Sequence, residues 1–321
     1  MSKLSELIKE LCPNGVEYKM LGDIAEMQRG TPMTKKDARE GDVPVISGGR
    51  EPAYYCDLSN RAGETITVAG SGAGAGYVQY WNTPIFVCDA FSVKGCANVD
   101  TKYLYYCLSS CQDYIYSTKK GGGVPHVHIS NIENMRIPLP PLKIQQEIVK
   151  ILDKFTELQA ELQAELDLRL KQYEYYRDEL LSFDKLNNLA GVVRRVRLGD
   201  IATIIRGGNF QKKDFVDEGQ PCIHYGQIYT RYKTYADEVF SFVNDNVYQN
   251  SKKASKNDII MAVTSENIED VCKCVAWLGD EEVAVSGHTA IIKHRQNPKY
   301  LAYYFSSGSF FKQKGWHTAL R

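Results

Sequence analysis

Residues 143–183 read KIQQEIVKILDKFTELQAELQAELDLRLKQYEYYRDELLSF, a run with no glycine or proline. It is rich in Glu, Leu, Gln, Lys and Ala, which favour helix. Ile144, Ile148, Ile151, Phe155, Leu158 and Leu162 alternate steps of four and three, the a/d spacing of a coiled-coil seam. Further steps of four reach Leu166 and Leu170, a stutter, after which Tyr173, Tyr176 and Leu180 resume the stripe. At 1.5 Å per residue such a helix spans roughly 60 Å. An ordinary amphipathic helix on a globular core stops near 20 residues, so the length favours a spacer whose apolar seam takes a partner helix. The recurrent Glu157, Glu161 and Glu165 read as a solvated face.

Outward from this rod the chain repeats itself. Leu198-Gly199-Asp200-Ile201-Ala202 matches Leu21-Gly22-Asp23-Ile24-Ala25 letter for letter, and Arg206-Gly207 matches Arg29-Gly30. The stretch 256–263 resembles 62–69, and KYLAYYFSS at 299–307 matches KYLYYCLSS at 102–110. Four matches in one order make a tandem duplication, with a unit too long for a solenoid. The domains predicted are 1–141, the spacer helix 142–184, and 185–321.

Within the first copy a short helix ends at the turn Pro13-Asn14-Gly15. Strands are predicted around 43–46, 65–69 and 85–88, between glycine, proline and asparagine breaks. KYLYYCLSS reads as a helix with a tyrosine-rich buried face. The loop Lys119-Lys120-Gly121-Gly122-Gly123 leads to a predicted strand that includes Ile129, then to the proline-rich IPLPPL ending at Leu142. The second copy contains no counterpart of that last strand or of the rod, so the second domain is expected to lack a closing strand.

The totals exclude several classes. Of 321 residues 43% are apolar, ample for two or three domains. Acidic and basic residues are equal at 39 each, which argues against a purely electrostatic nucleic-acid binder. The rod is acidic and the last segment mildly basic. Nine cysteines without a Cys-x-x-Cys pair predict free thiols in a reducing compartment. The polar amphipathic start is no signal peptide, and no apolar run approaches a membrane span, so a cytoplasmic location is expected.

The tempting catalytic motif is Gly70-Ser71-Gly72-Ala73-Gly74-Ala75-Gly76 directly after the strand at 65–69. A nucleotide or S-adenosylmethionine site of this kind needs a helix opening at the last glycine. Here a strand-like stretch from Tyr77 follows, stopped by Pro84, and no Gly-Lys-Ser/Thr is present. A glycine loop between strands is the preferred reading; a cofactor-binding enzyme built on 70–76 is the alternative. His126 and His128 lack a third ligand at metal spacing, and Ser286-Gly287-His288 is no nucleophile elbow. No catalytic residue, metal site or cofactor is assigned to this chain.

IPLPPL at 137–142, then Gln145-Gln146-Glu147-Ile148-Val149-Lys150-Ile151-Leu152-Asp153, then Gln172-Tyr173-Glu174-Tyr175-Tyr176-Arg177-Asp178, resembles the first long helix of the DNA-specificity subunit of type I restriction–modification systems. The Leu-Gly-Asp-Ile-Ala openings and the two-copy layout fit the same family. The resemblance implies an α+β fold: two tandem mixed α/β target-recognition domains with bent sheets, joined by a long coiled-coil-forming helix. It implies a non-catalytic subunit that reads a split target in double-stranded DNA. Expected partners are methyltransferase (modification) subunits, which bind S-adenosylmethionine, and a restriction/translocase subunit. The family has a second long helix absent here, so the chain reads as C-terminally truncated, with a second specificity chain as a source of the missing helix.

Base and phosphate contacts favour Arg, Lys, Asn, Gln, Ser, Thr and glycine-loop amides. The DNA-binding candidates in the first domain are Thr31, Arg50, Ser71, Tyr77, Lys119, Lys120 and His126. Those in the second are Asn209, Lys212, Lys213, Tyr225, Gln227, Arg231, Ser265, His288, Lys312 and Lys314.

Overall fold

The structure is a computed structural model that describes residues 3–121, 123–190, 194–265 and 270–318, without the side chains of 189, 190 and 314–318. The rod is a single helix, Leu142–Leu180, of 39 residues. It stops four residues short of the expected end at 184, because Ser182 Oγ accepts from Lys185 N and caps a separate helix, Phe183–Ala190. Every residue from Lys154 to Tyr176 is exposed, with Phe155 at 66% and Leu162 at 67%. Ile144 is the correction to the predicted seam. It is 1% exposed, packed away at the base of the helix, and unavailable to a partner.

The chain divides into two compact units, Met1–Leu162 and Gln163–Arg321, so the boundary falls inside the long helix. The main sheet of the first unit is antiparallel, in the order Ala25–Arg29, Ala90–Gly95, Thr65–Ala69, Val78–Trp81. Its inner strand Thr65–Ala69 is buried at all five positions, as an unbroken β-branched run requires. The helix Thr101–Ser110 covers this sheet with Tyr103, Leu104 and Leu108 buried, and Asp100 caps it by accepting from Tyr103 N at 2.9 Å. Leu21, Ile66, Val68, Val93, Leu104, Ile132 and Ile137 form the core, each buried aliphatic side chain worth about 1.5–3 kcal/mol. A smaller sheet sets Val43–Ile46 parallel to Phe86–Val87 and antiparallel to Tyr54–Cys56.

The second unit repeats this topology. Its main sheet runs Ala202–Arg206, Thr289–His294, Ile259–Ala262, Cys274–Trp277, with Tyr235–Ala236 added at the edge. Its smaller sheet again contains one parallel pair, Gln220–Ile223 with Val283–Val285. Pro298–Phe305 is the covering helix, capped by Asn297 where the first unit uses Asp100. The sequence duplication is therefore a duplication of fold.

The strand predicted around Ile129 is a correction: Ile129–Ile132 is one helical turn. Asn131 Oδ1 accepts from His128 N at 2.8 Å, which starts the turn, and the strand comes later, at Arg136–Pro138, paired with Tyr18–Met20. All nine cysteines are free thiols, with Cys56, Cys222 and Cys274 buried. Among the described residues no helix is long and apolar enough to cross a membrane.

Candidate nucleic-acid interface

Each unit carries four loops at the same edge of its sheets, and the same four backbone hydrogen bonds hold them. In the first unit Gly30 N donates to Ala90 O at 2.9 Å, Thr31 N to Val87 O at 2.9 Å, Cys88 N to Ile46 O at 2.8 Å, and Gly70 N to Asp89 O at 3.0 Å. In the second, Gly207 N donates to Thr289 O at 3.0 Å, Gly208 N to Val285 O at 2.7 Å, Ser286 N to Ile223 O at 3.2 Å, and Val263 N to His288 O at 3.0 Å. Asp89 thus occupies the place of His288, and Ser47 that of His224. The backbone frame is constant while the side chains it presents differ.

Glycine makes this frame possible. A Cβ on Gly30 would lie 2.1 Å from Cys88 O, and one on Gly207 would lie 2.0 Å from Ser286 O. The repeated Arg-Gly pair is a backbone crossing with no room for a side chain.

In the first unit the loop 70–76 joins two antiparallel strands, Thr65–Ala69 and Val78–Trp81, and no helix opens from it. Its glycines are used in packing. A Cβ on Gly74 would lie 2.5 Å from Gly48 O, and one on Gly76 would lie 3.2 Å from both Ile115 and Val127 side chains. The turn 47–50 is pressed against this loop, which brings Arg50 over the Tyr77 ring at 5.1 Å. Gln79 Nε2 donates to Arg50 O at 2.6 Å and fixes that turn further. Ser71 Oγ is committed to Asp89 Oδ2. His126 bridges by its backbone to Ser71 and Lys120, and its ring stacks on His128 at 5.9 Å. Thr31, Arg50, Ser71, Tyr77, Lys120 and His126 therefore belong to one connected set of loops. Lys119 instead lies over the Tyr116 ring at 4.2 Å. An open groove of about 470 Å³ runs beside the set, lined by Arg29, Thr34, Asp37, Asp89, His126 and His128 among others.

In the second unit Tyr225 N donates to Ser286 Oγ at 2.9 Å, and the Tyr225 ring lies 5.0 Å from that of His288. His288 Nδ1 pairs with Thr264 Oγ1 at 3.0 Å, and Tyr229 Oη donates to Thr264 O at 2.7 Å. His224, 5% exposed, lies tilted against the Tyr225 ring at 4.5 Å and accepts from Gly226 N through Nδ1. Burial, then the positive charge of Lys212 and the neighbouring His288, push His224 down to about 4, so it is neutral near pH 7. Asn209, Lys212, Tyr225, Ser265 and His288 fall on or beside these loops, and Lys213 is exposed on the short turn Lys212–Asp214.

Three candidates sit elsewhere. Gln227 is 6% exposed; its amide accepts from His224 N and donates to Ser241 Oγ at 2.7 Å, so it closes a helix cap and presents nothing outward. Arg231 lies over the Phe240 ring at 5.6 Å. Lys312, on the helix Gly308–Thr318, lies near Asp178 at the end of the long helix. The side chain of Lys314 is outside the described residues. Two further exposed residues lie beside the same loops and were not among the candidates: His128, stacked on His126, and Arg206, whose Nε donates to Gly287 O at 3.2 Å beside His288. Arg206 was findable, since it repeats Arg29 in the duplicated pair.

Two copies of a mixed α+β unit, each presenting the same loop frame, define the fold class. The family model of the type I restriction modification DNA specificity domain matches residues 13–172. The Escherichia coli EcoR124I/EcoR124II specificity subunit is 29% identical over 91% of this chain and 76% of its own length. A putative type I restriction enzyme specificity subunit of Haemophilus influenzae is 25% identical over 84% of this chain and 74% of its own. The crystal structure of the S subunit of a type I restriction–modification system from M. genitalium shares the fold, with TM-score 0.57 and 18% identity over 95% of this chain and 80% of that one. The chain belongs to the specificity-subunit family of type I restriction–modification systems.

Proposed function

We propose that the two units are target-recognition domains, at 1–141 and 185–321, that read the two halves of a split sequence in double-stranded DNA. The single observation that carries this reading is the shared loop frame: four hydrogen bonds repeated in both units, with different side chains mounted on it. Two readers built on one frame suit two different DNA words. Arg50, Lys120 and Thr31 in the first unit, and Asn209, Lys212, Tyr225 and His288 in the second, offer the donors and aromatic faces that base edges and phosphates take.

The chain itself performs no chemistry in this reading. It recruits methyltransferase subunits, which supply S-adenosylmethionine and the methylation step, and a restriction/translocase subunit, in the cytoplasm. The exposed stripe from Phe155 to Leu180 takes a helix from a second specificity chain, because large apolar side chains left in water along this length favour coiled-coil pairing.

Selection of duplexes from a random library, with the methyltransferase partner present, tests the reading directly and yields the word. Arg50→Ala and Lys120→Ala are expected to weaken the selected duplex at least several-fold with the fold intact. Unchanged affinity for both removes those loops from the interface. Saturable binding of S-adenosylmethionine to the chain alone would favour a cofactor enzyme instead.

A further inference from the structure

In each unit a hydroxyl stands two residues past the inner strand of the main sheet, and it pairs with the side chain just before the neighbouring strand. Gly70 and Val263 are equivalent, because their amides donate to Asp89 O and His288 O. The residues that follow them are Ser71 and Thr264. Ser71 Oγ donates to the Asp89 carboxylate, and Thr264 Oγ1 pairs with His288 Nδ1 at 3.0 Å. The mount is thus repeated in backbone position and in its hydroxyl. Only the outer partner changes, from a carboxylate in the first unit to an imidazole in the second, and both outer partners are exposed. Their strands begin one residue later, at Ala90 and Thr289, so the backbone beneath each is fixed.

A contrast sits beside these pairs. The Arg-Gly pair puts an exposed arginine, Arg29 or Arg206, at the end of the edge strand next door in both units. A residue that is the same in two readers cannot tell two words apart, and a guanidinium suits the phosphates that every word shares. A residue that changes on an unchanged mount is where two words can differ. Asp89 is the more restrictive of the two. A carboxylate is repelled by every phosphate, and when ionised it can only accept hydrogen bonds. In the major groove the groups it can accept from are the exocyclic amino groups of cytosine and adenine. Ser71 takes one of its roughly four acceptor sites and leaves the others for such a group. The groove of about 470 Å³ lined by Asp89 and Arg29 opens beside it.

We propose that Asp89 and His288 are the specificity-determining residues of this repeated mount, each reading one base pair in its unit's half of the split word. Asp89 accepts from the exocyclic amino group of a cytosine or an adenine. His288 presents Nε2 to the base edge at the equivalent position, because Nδ1 is held by Thr264. Ser71 and Thr264 are positioning residues: each fixes the outer side chain before DNA arrives, so less rotamer freedom is lost on contact. Arg29 and Arg206 supply grip on phosphate that is indifferent to sequence. These assignments rest on the DNA reading proposed above and add to it the residue that reads and the chemical group it takes.

Duplex selection by the full chain with its methyltransferase partner, followed by affinities for the selected duplex and its single-base variants, is the test. One position of one half-word should hold cytosine or adenine. Asp89→Ala should level the four bases there, removing a preference of roughly fivefold or more, while the other half-word keeps its own. His288→Ala should do the same at one position of the other half-word alone. Ser71→Ala should reduce the preference that Asp89 sets, and Ser71→Thr should restore it. Arg29→Ala should weaken every duplex alike and lower the slope of log affinity against log salt by about one. Asp89 is exposed, and the carbonyl it gives to the loop frame survives substitution, so thermal unfolding of its variant should not shift. An unchanged preference in Asp89→Ala overturns the proposal. So does tighter binding of that variant to every duplex alike, which would set the carboxylate against phosphates. A loss confined to particular sequences in Arg29→Ala overturns the division between grip and reading. A wild-type complex that selects no word overturns the DNA reading itself, an outcome distinct from all of these.

Discussion

Asp153, three turns into the long helix, meets Lys102 of the covering helix at 2.7 Å across a sequence gap of 51 residues. Tyr106 Oη adds a second hydrogen bond to the same carboxylate at 2.6 Å. Partial burial pushes the Asp153 carboxyl up, but these two partners and the charge of Lys102 outweigh it and hold the group below its ordinary value. Asp153→Ala is expected to cost about 1 kcal/mol, since both side chains of the pair stay partly in water, measured as a shift in the denaturant midpoint.

Gln145 is the stronger tie. Its amide reaches three backbone groups, so Gln145→Ala leaves part-buried Asp100 N and Asn98 O and buried Pro140 O without that partner. A loss of about 2–4 kcal/mol is expected in chemical unfolding, with faster hydrogen exchange confined to residues 96–104 and 139–148.

The four equivalent glycines divide by what surrounds them. Gly30→Ala and Gly207→Ala force a methyl group against a carbonyl oxygen and should each lower the midpoint of thermal unfolding by about 10 °C or more. Gly22→Ala meets Glu133 O at 3.3 Å and should be mildly destabilising. Gly199→Ala, in open space, should be neutral or slightly stabilising. Equal effects at Gly22 and Gly199 would contradict the difference in space around the two glycines.

Acid should weaken the second unit through His224. Its folded value of about 4 lies below the ordinary 6.5, so between these pH values the unfolded chain binds the extra proton and stability falls as pH drops. The cost is up to about 3 kcal/mol by pH 4. His224→Asn retains an acceptor for Gly226 N and should flatten that slope; His294, also pushed down by burial, leaves a residual part. Denaturant titrations at pH 4.5, 5.5 and 7 measure it.

Leu162→Glu with Leu166→Glu should leave circular dichroism and thermal unfolding of the isolated chain unchanged, because both side chains are exposed at 67% and 51%. The same pair should abolish association with any helix partner in sedimentation velocity. Association unaffected by both charges would take the seam out of assembly.

The rod and the duplication were legible because each leaves a mark in letters: apolar spacing in one, short motifs repeated in the same order in the other. The loop frame was not, since it joins backbone groups of residues such as Val87 and Val285, or Ile46 and Ile223, that look like ordinary strand ends. The Arg-Gly pair was visible, yet the carbonyl that forbids a side chain there belongs to a residue 58 positions further on in the first copy, Cys88, and 79 in the second, Ser286. Ile129 was misread as strand because β-branched neighbours outweighed Asn131, whose side chain caps a helical turn. Gln227 was taken for a base-reading amide because its type suits that work; only coordinates reveal both ends of the amide already engaged.

The backbone-to-backbone press of the 47–50 turn on the glycine loop has an evolutionary consequence. What holds these loops is carbonyl, amide and the absence of Cβ atoms at Gly48 and Gly74, so their outward letters are free to drift without unseating them. If these loops read DNA as proposed, substitutions at Arg50 or Tyr77, taken one at a time, change the word while each intermediate stays folded.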